Sequence, residues 1–218
     1  MLHIRCDGRE SRAAPAIARW REVVDDVFSG LQVQPQRESR GFQAAIDLLA
    51  TPHLRLGTIR GSAHAVCRNA QSARRSDEIG LLLQGTGASR LDLDGISVDL
   101  APGRAVLFDN ARPYRFDLGE SFEHHLLLIE RSSIGFGAGR LSARCGEILP
   151  PTLPARLLID ALSRLCTELT TAPGAPVATL AEPLLAWLDV ATERPVEKRP
   201  RGTDALFARI VADLGRRL

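Results

Sequence analysis

Three hydrophobic patterns follow one another along the chain. Between residues 15 and 31, Ile17, Trp20, Val23, Val24, Val27, Phe28 and Leu31 recur at helical spacing, with Arg19, Arg21, Glu22, Asp25 and Asp26 between them. That arrangement predicts an amphipathic helix, and Pro15 suits its first turn. From residue 41 to 130 the pattern changes to short apolar runs separated by turn residues, as in an all-β segment. Strands are expected over residues 42–49, 54–61, 63–68, 78–84, 105–108, 114–116 and 122–129. The clearest hairpin lies between residues 90 and 100. Leu91 and Leu93 alternate with polar residues, Asp94-Gly95 supplies the tight turn, and Ile96, Val98 and Leu100 alternate on the return. After Pro151 the helical period returns in Leu153, Leu157, Leu158, Ala161, Leu162, Leu165, Cys166 and Leu169. Pro173-Gly174-Ala175-Pro176 breaks it, and Leu180, Leu184, Leu185, Trp187, Leu188 and Ala191 form a second helical stripe.

Short strands closed by Gly and Pro turns form a barrel or a two-sheet jelly roll, which hides its edges and can enclose a small ligand. The expected class is α+β: a jelly-roll barrel with an N-terminal helix and a C-terminal antiparallel helix pair. Residues 194–202 are polar and predict a mobile linker. Thr203 then suits an N-cap for a last helix whose apolar face is Leu206, Phe207, Ile210, Val211 and Leu214. That face has no later partner in the chain, so the helix is expected to open a further, missing domain.

Composition narrows the picture only a little. The chain has 218 residues, 44% of them apolar, and a net charge of +2. This suits one large domain, or one domain with a helical appendage, and does not describe a concentrated basic face for nucleic acid. Cys6, Cys67, Cys145 and Cys166 form no C-x-x-C pair and no metal-ligand spacing, so free thiols in a reducing cytoplasm are expected. Residues 1–12 are polar and charged, unlike a signal peptide, and no apolar run is long enough to cross a bilayer. A soluble, cytoplasmic protein without a membrane partner follows as the expectation.

The order helix, barrel, helix pair, linker, helix resembles the AraC/XylS transcription regulators, in the subgroup whose sensor is an AraC-binding-like cupin domain. The most telling stretch runs Leu100-Ala101-Pro102-Gly103-Arg104-Ala105-Val106-Leu107-Phe108-Asp109-Asn110-Ala111-Arg112-Pro113-Tyr114. It is similar to that family's Pro-Gly turn, strand, acidic residue and Arg-Pro-Tyr turn. Val66-Cys67-Arg68 resembles a strand-ending Val-x-Arg, and Leu127-Leu128-Ile129-Glu130-Arg131 resembles the family's last sheet strand, with Glu130 where a proline is usual. The resemblance covers roughly residues 15 to 193. It implies an effector-binding domain over 1–150, a helical dimerisation segment over 151–193, a linker over 194–202 and, over 203–218, the start of a truncated DNA-binding domain. The implied partners are a small organic effector and a second copy of the chain. Promoter DNA and RNA polymerase would be reached only through the missing helix-turn-helix domain.

Candidate ligand residues are His64, Arg68, Phe108, Tyr114 and His124. Arg68 ends a strand and could meet a carboxylate or phenolate effector through its guanidinium; the plain alternative is a surface arginine or a pair with Asp109. His64 shares the face of Arg68 on a regular strand. Phe108 and Tyr114 flank turns and line a pocket if they point inward, or else simply pack in the core. His124 shares a face with Phe122, Leu126 and Leu128 and is a polar feature in an apolar wall. His124 and His125 are adjacent, so on a strand their rings point to opposite faces and cannot share an ion. Val106 also stands where a metal-binding cupin has its later histidine. No metal, cofactor or catalytic residue is therefore expected. The competing function is a cupin-class metal-dependent enzyme, a dioxygenase or isomerase, which needs a metal or an acid–base pair in the barrel. Leu158, Leu162, Leu165 and Leu169 are the expected dimerisation residues; the plain alternative is packing against the barrel, and a stripe this wide can serve both.

Overall fold

The computed structural model describes residues 2–7, 13–35, 41–172, 176–181 and 183–193. Its strands are β1 (Leu2–Asp7), β2 (Gln32–Pro35), β3 (Gln43–Ala50), β4 (Leu54–Arg68), β5 (Glu78–Thr86), β6 (Ser89–Leu93), β7 (Ile96–Leu100), β8 (Ala105–Asp109) and β9 (Tyr114–Glu130). Its helices are α1 (Ala13–Val27), α2 (Ala70–Ala73), α3 (Arg131–Ile134), α4 (Ala138–Ser142), α5 (Leu153–Thr171), α6 (Val177–Ala181) and α7 (Pro183–Thr192). The expected linker and last helix over residues 194–218 lie outside the described residues.

The long antiparallel pair β4–β9 organises the barrel. Each of these strands was expected as two pieces. Each is continuous, because a register shift between Ser62 and His64 lets the pair bend without ending. The bend shares each strand between two sheets. The larger sheet runs β1-β3-β4-β9-β5-β8; the smaller is made by β2 on the far end of β4 and by the β6–β7 hairpin on the near end of β9. The hairpin turns at Asp94-Gly95, both with positive φ (50° and 79°), as a tight two-residue turn needs. Together the sheets make the expected jelly roll. β1 and β2 were not foreseen: β1 is six residues and β2 four, and β2 buries only Val33. Runs that short carry too little alternation to read.

Cross-strand pairs assign the faces, since directly opposed residues share a side. On β9, Tyr114, Phe116 and Leu118, then Phe122, His124, Leu126 and Leu128, face the interior opposite His64, Val66 and Arg68 and then Ile59 on β4. His125, Leu127 and Ile129 face out, yet all are buried. α5 covers that side, shown by the Cys166 thiol donating to the Gly57 carbonyl at 3.3 Å. Residues 126–129 are therefore wrapped on both sides, which explains their unbroken apolar run.

α5 starts where Thr152 caps it, accepting from the Ala155 amide, with Pro154 in the first turn. Its stripe of Ala155, Leu158, Leu162, Leu165, Cys166 and Leu169 is buried. This corrects the reading of Leu158, Leu162, Leu165 and Leu169 as a dimer face. They turn inward onto their own chain, and most of that stripe joins the barrel's hydrophobic cluster.

Candidate functional site

Between the sheets lies a cavity of about 60 Å³. That exceeds the roughly 10–15 Å³ one water needs and falls well below the roughly 300–1,000 Å³ of common ligand pockets. Strands supply most of the wall, including Ile59, Val66, Leu82, Phe116, Leu118, Phe122, Leu126 and Leu128. The remaining side belongs to α1, which contributes Trp20 and Val24, followed by Phe28 and Leu31 just beyond its end. The spacing of four between Trp20, Val24 and Phe28 keeps them on one stripe.

Phe108 reaches the cavity because of Gly80, its cross-strand partner. A Cβ on Gly80 would come within 2.2 Å of the ring. Phe108, Tyr114 and Phe116 then stack edge to face with centroids 5.4–5.5 Å apart.

His64 and His124 are the buried histidines of the wall. His64 donates from Nδ1 to the Ser62 carbonyl at 2.8 Å and accepts the Trp20 indole N–H at Nε2, 3.1 Å away. Its ring sits among Trp20, Phe42 and Phe122, with centroids 5.5–6.1 Å off. Burial pushes its pKa down to about 4, against the pull of the Ser62 carbonyl. His124 donates from Nε2 to Gln84 Oε1 at 2.9 Å, with Ser89 Oγ 3.2 Å away. Burial first, then the neighbouring histidines, push it down to about 3. Both rings are neutral near pH 7. His125 points the other way, 3.3 Å from Thr58 Oγ1 and 3.7 Å from Glu123.

Arg68 does not line the cavity, and the expectation that it meets an effector there is corrected. It is 2% exposed, so it is not a surface arginine either. Its guanidinium donates to the carbonyls of Phe28 at 2.5 Å, Ser29 at 3.2 Å and Ser72 at 3.3 Å, and lies 5.9 Å from the Tyr114 ring. Asp109 is held elsewhere, by Arg131, Ser142 and the Ala111 amide. Burial alone would raise the Asp109 pKa, but those donors hold it below the usual carboxylate range. Arg55 repeats the clamp: it donates to the Val27 carbonyl at 2.5 Å and forks onto Glu78 at 2.9 and 2.6 Å. Two cations thus bind the last carbonyls of α1, where the helix dipole is negative. From Glu78 the network continues through Asn110 Nδ2 (3.2 Å) to the Tyr114 hydroxyl, which donates to Asn110 Oδ1 at 2.8 Å.

Of the expected ligand residues, His64, Phe108, Tyr114 and His124 come together on the cavity wall and Arg68 stands outside it. The α1 residues, Gln84, Ser89 and Asn110 were not foreseen. Gln84 carried a signal, as it keeps the inward parity of Leu82 on β5. Among the described residues, no group of three or more His, Cys, Asp or Glu side chains is placed to hold a metal ion. No described helix is long and apolar enough to cross a membrane.

A family model described as an AraC-binding-like domain matches residues 20–191. Among solved structures, the chain is similar to the AraC-like transcriptional activator CuxR, at 18% identity and a TM-score of 0.72, covering 90% of this chain and 73% of that one. It also matches the Clostridium difficile EutQ protein at 11% identity and a TM-score of 0.35, over 44% of this chain and 75% of that one. A cupin domain of an XRE-family regulator from Enterobacter cloacae matches at 15% identity and a TM-score of 0.34, over 39% and 95%. No curated protein matches the chain.

Proposed function

The chain belongs to the AraC-binding-like domain family, and from that premise we propose that it is the sensor and dimerisation unit of a transcription regulator. A small organic effector enters the barrel and alters how α1 seats on it. That change biases the placement of a helix-turn-helix domain carried further along a longer chain, which meets promoter DNA and RNA polymerase. The observation that carries this reading is the apolar cavity, walled on one side by a helix rather than by a strand. An effector that packs better against one seating of α1 than another shifts the population between them, which is the physical requirement for a sensor. The function is binding, in the cytoplasm, with no chemistry on the effector.

Dimerisation falls to the outer side of the helical layer. Leu153 and Leu157 on α5, Leu180 on α6, and Trp187 and Val190 on α7 are 40–60% exposed. Apolar side chains gathered on one layer mark an interface, and a two-fold dimer is its usual product.

Two measurements test the proposal. A thermal-shift screen of small aromatic acids, phenols, amines and sugars should yield a class that raises Tm by mass action. Light scattering should give twice the chain mass, reverting to one chain mass for Leu157→Glu. A flat screen together with a monomeric wild type would remove the sensor reading.

A further inference from the structure

Resting on the sensor reading, the hydrogen bonds around the two cavity histidines also define the class of molecule the cavity takes. Both nitrogens of His64 are occupied, Nδ1 by the Ser62 carbonyl and Nε2 by the Trp20 indole. At His124 the pattern differs. Gln84 donates its amide nitrogen to the Thr86 carbonyl at 2.6 Å, so its Oε1 is the atom that faces the ring. Ser89 uses its only hydroxyl proton on that same Oε1, at 2.5 Å. The ring proton of His124 must then sit on Nε2, which donates to Gln84 at 2.9 Å. Nδ1 is left a bare acceptor, without a hydrogen-bond partner among the described residues. The described side-chain atoms that are occluded and accept or donate no hydrogen bond are Arg68 Nε and Asp47 Oδ2, and Asp47 Oδ2 is ion-paired with Arg60 at 2.9 Å. His124 is itself nearly enclosed, 3% exposed, and the space it lines is the cavity.

The rest of the wall is mostly apolar and aromatic, and no Lys or Arg side chain stands in it. An ionised ligand there would lose its hydration without meeting an opposite charge. A sugar would bring several hydroxyls to a wall whose few polar groups, Asn110 and Tyr114 among them, are already bonded to one another. We propose that the cavity takes a small neutral molecule with an apolar ring and a single hydroxyl, a phenol or cyclic alcohol, whose O–H donates to His124 Nδ1. The depressed basicity of His124, about 3, keeps that nitrogen an acceptor across the physiological range.

Size adds a consequence. The cavity of about 60 Å³ is smaller than the roughly 150 Å³ void known to hold benzene. A ring therefore enters only if a wall yields. The strands are tied into sheets by their neighbours, whereas Trp20, Val24 and Phe28 arrive from α1 or its end. The ligand displaces α1, and Trp20 reports it.

Trp20 and Trp187 are the two tryptophans, so Trp187→Phe makes Trp20 the sole indole reporter. Phenol, toluene and benzoate are titrated at pH 7 into this protein and into the same protein carrying His124→Phe. Phenol should shift the Trp20 emission, and His124→Phe should weaken phenol about tenfold, the worth of one hydrogen bond. Toluene should change less than twofold between the two proteins, and benzoate should not bind. An independent readout needs no change at His124: in the otherwise native protein, phenol should move the ¹⁵N resonance of His124 Nδ1. Benzoate binding as well as phenol, phenol affinity indifferent to His124→Phe, or a still Nδ1 resonance would each overturn the assignment. If an amine, acid or sugar shifts Trp20 instead, the ligand class falls and the sensor reading stands. If none of them moves either Trp20 or Tm, the ligand class falls, and the sensor reading falls with it when the wild type is also monomeric.

Discussion

Two helices cover the barrel, and they do so on different terms. α5 lies on the outer face of the larger sheet with a continuous buried stripe, and its Leu158, Leu162 and Cys166 are wholly enclosed. α1 lies over a void. Trp20, Val24 and Phe28 face a cavity. The end of the helix is held by hydrogen bonds from Arg55 and Arg68 to its last carbonyls. Close packing leaves a helix one seat, because every displacement opens space that nothing fills. α1 also buries a stripe of Ala16, Trp20 and Val24, but a helix with unfilled volume beneath part of its stripe loses less packing when it shifts. The contrast teaches where a signal can start: on the side of α1.

The largest test of that contrast applies the same substitution to both coverings. Leu162→Ala under α5 should cost toward the upper part of the roughly 2–5 kcal/mol range for buried leucines, read by urea unfolding. Leu31→Ala, on the cavity wall just past α1, should cost at or below the low end, since part of its surroundings is already empty. Equal losses at the two sites would break the distinction. A second test comes from acid. The folded-state values of His64 and His124 lie near 4 and 3, below about 6.5 in the unfolded chain. The unfolded state therefore binds more protons below that value, and stability is full above pH 6.5 and declines as pH falls toward 4. Each histidine contributes a slope of about 1.4 kcal/mol per pH unit in that window. His64→Gln should remove one such slope, and a stability profile flat from pH 7 to 4.5 would contradict the assignment of both rings as neutral.

Much of this arrangement was legible in the chain, and the limits have physical causes. The Asp94-Gly95 hairpin declared itself because a tight turn demands positive φ, and the helical stripes declared themselves by period. The flanking turns brought out Phe108 and Tyr114, while strand parity brought out His124 with Phe122, Leu126 and Leu128 and placed His64 on one face with Arg68. Parity could not tell that Arg68, at the end of that same face, would meet carbonyls of α1 instead of the cavity. That outcome depends on where a helix some forty residues earlier comes to rest. The same non-local fact hid Trp20 as a wall residue. Period alone marked it as apolar and helical, without saying what it would cover. The inward turn of Leu158, Leu162, Leu165 and Leu169 was equally invisible, since a wide stripe fits its own barrel or a partner equally well until the sheet is in place.

The finest test bears on the bond that joins α1 to the barrel floor. Trp20→Phe keeps most of the ring in its place against Val24 and Phe28 but removes the N–H that His64 Nε2 accepts. The acceptor is then left facing apolar neighbours, at a cost of about 1 kcal/mol. A global measurement would barely separate this from any core change, so location is what discriminates. Hydrogen exchange should quicken at α1 amides while α5 amides keep the wild-type rate, because local opening follows local bonds. If the substitution instead speeds exchange evenly in both helices, α1 and α5 unfold as one unit. The void beneath α1 would then be a packing defect shared by the whole domain and not the seat of a movable wall.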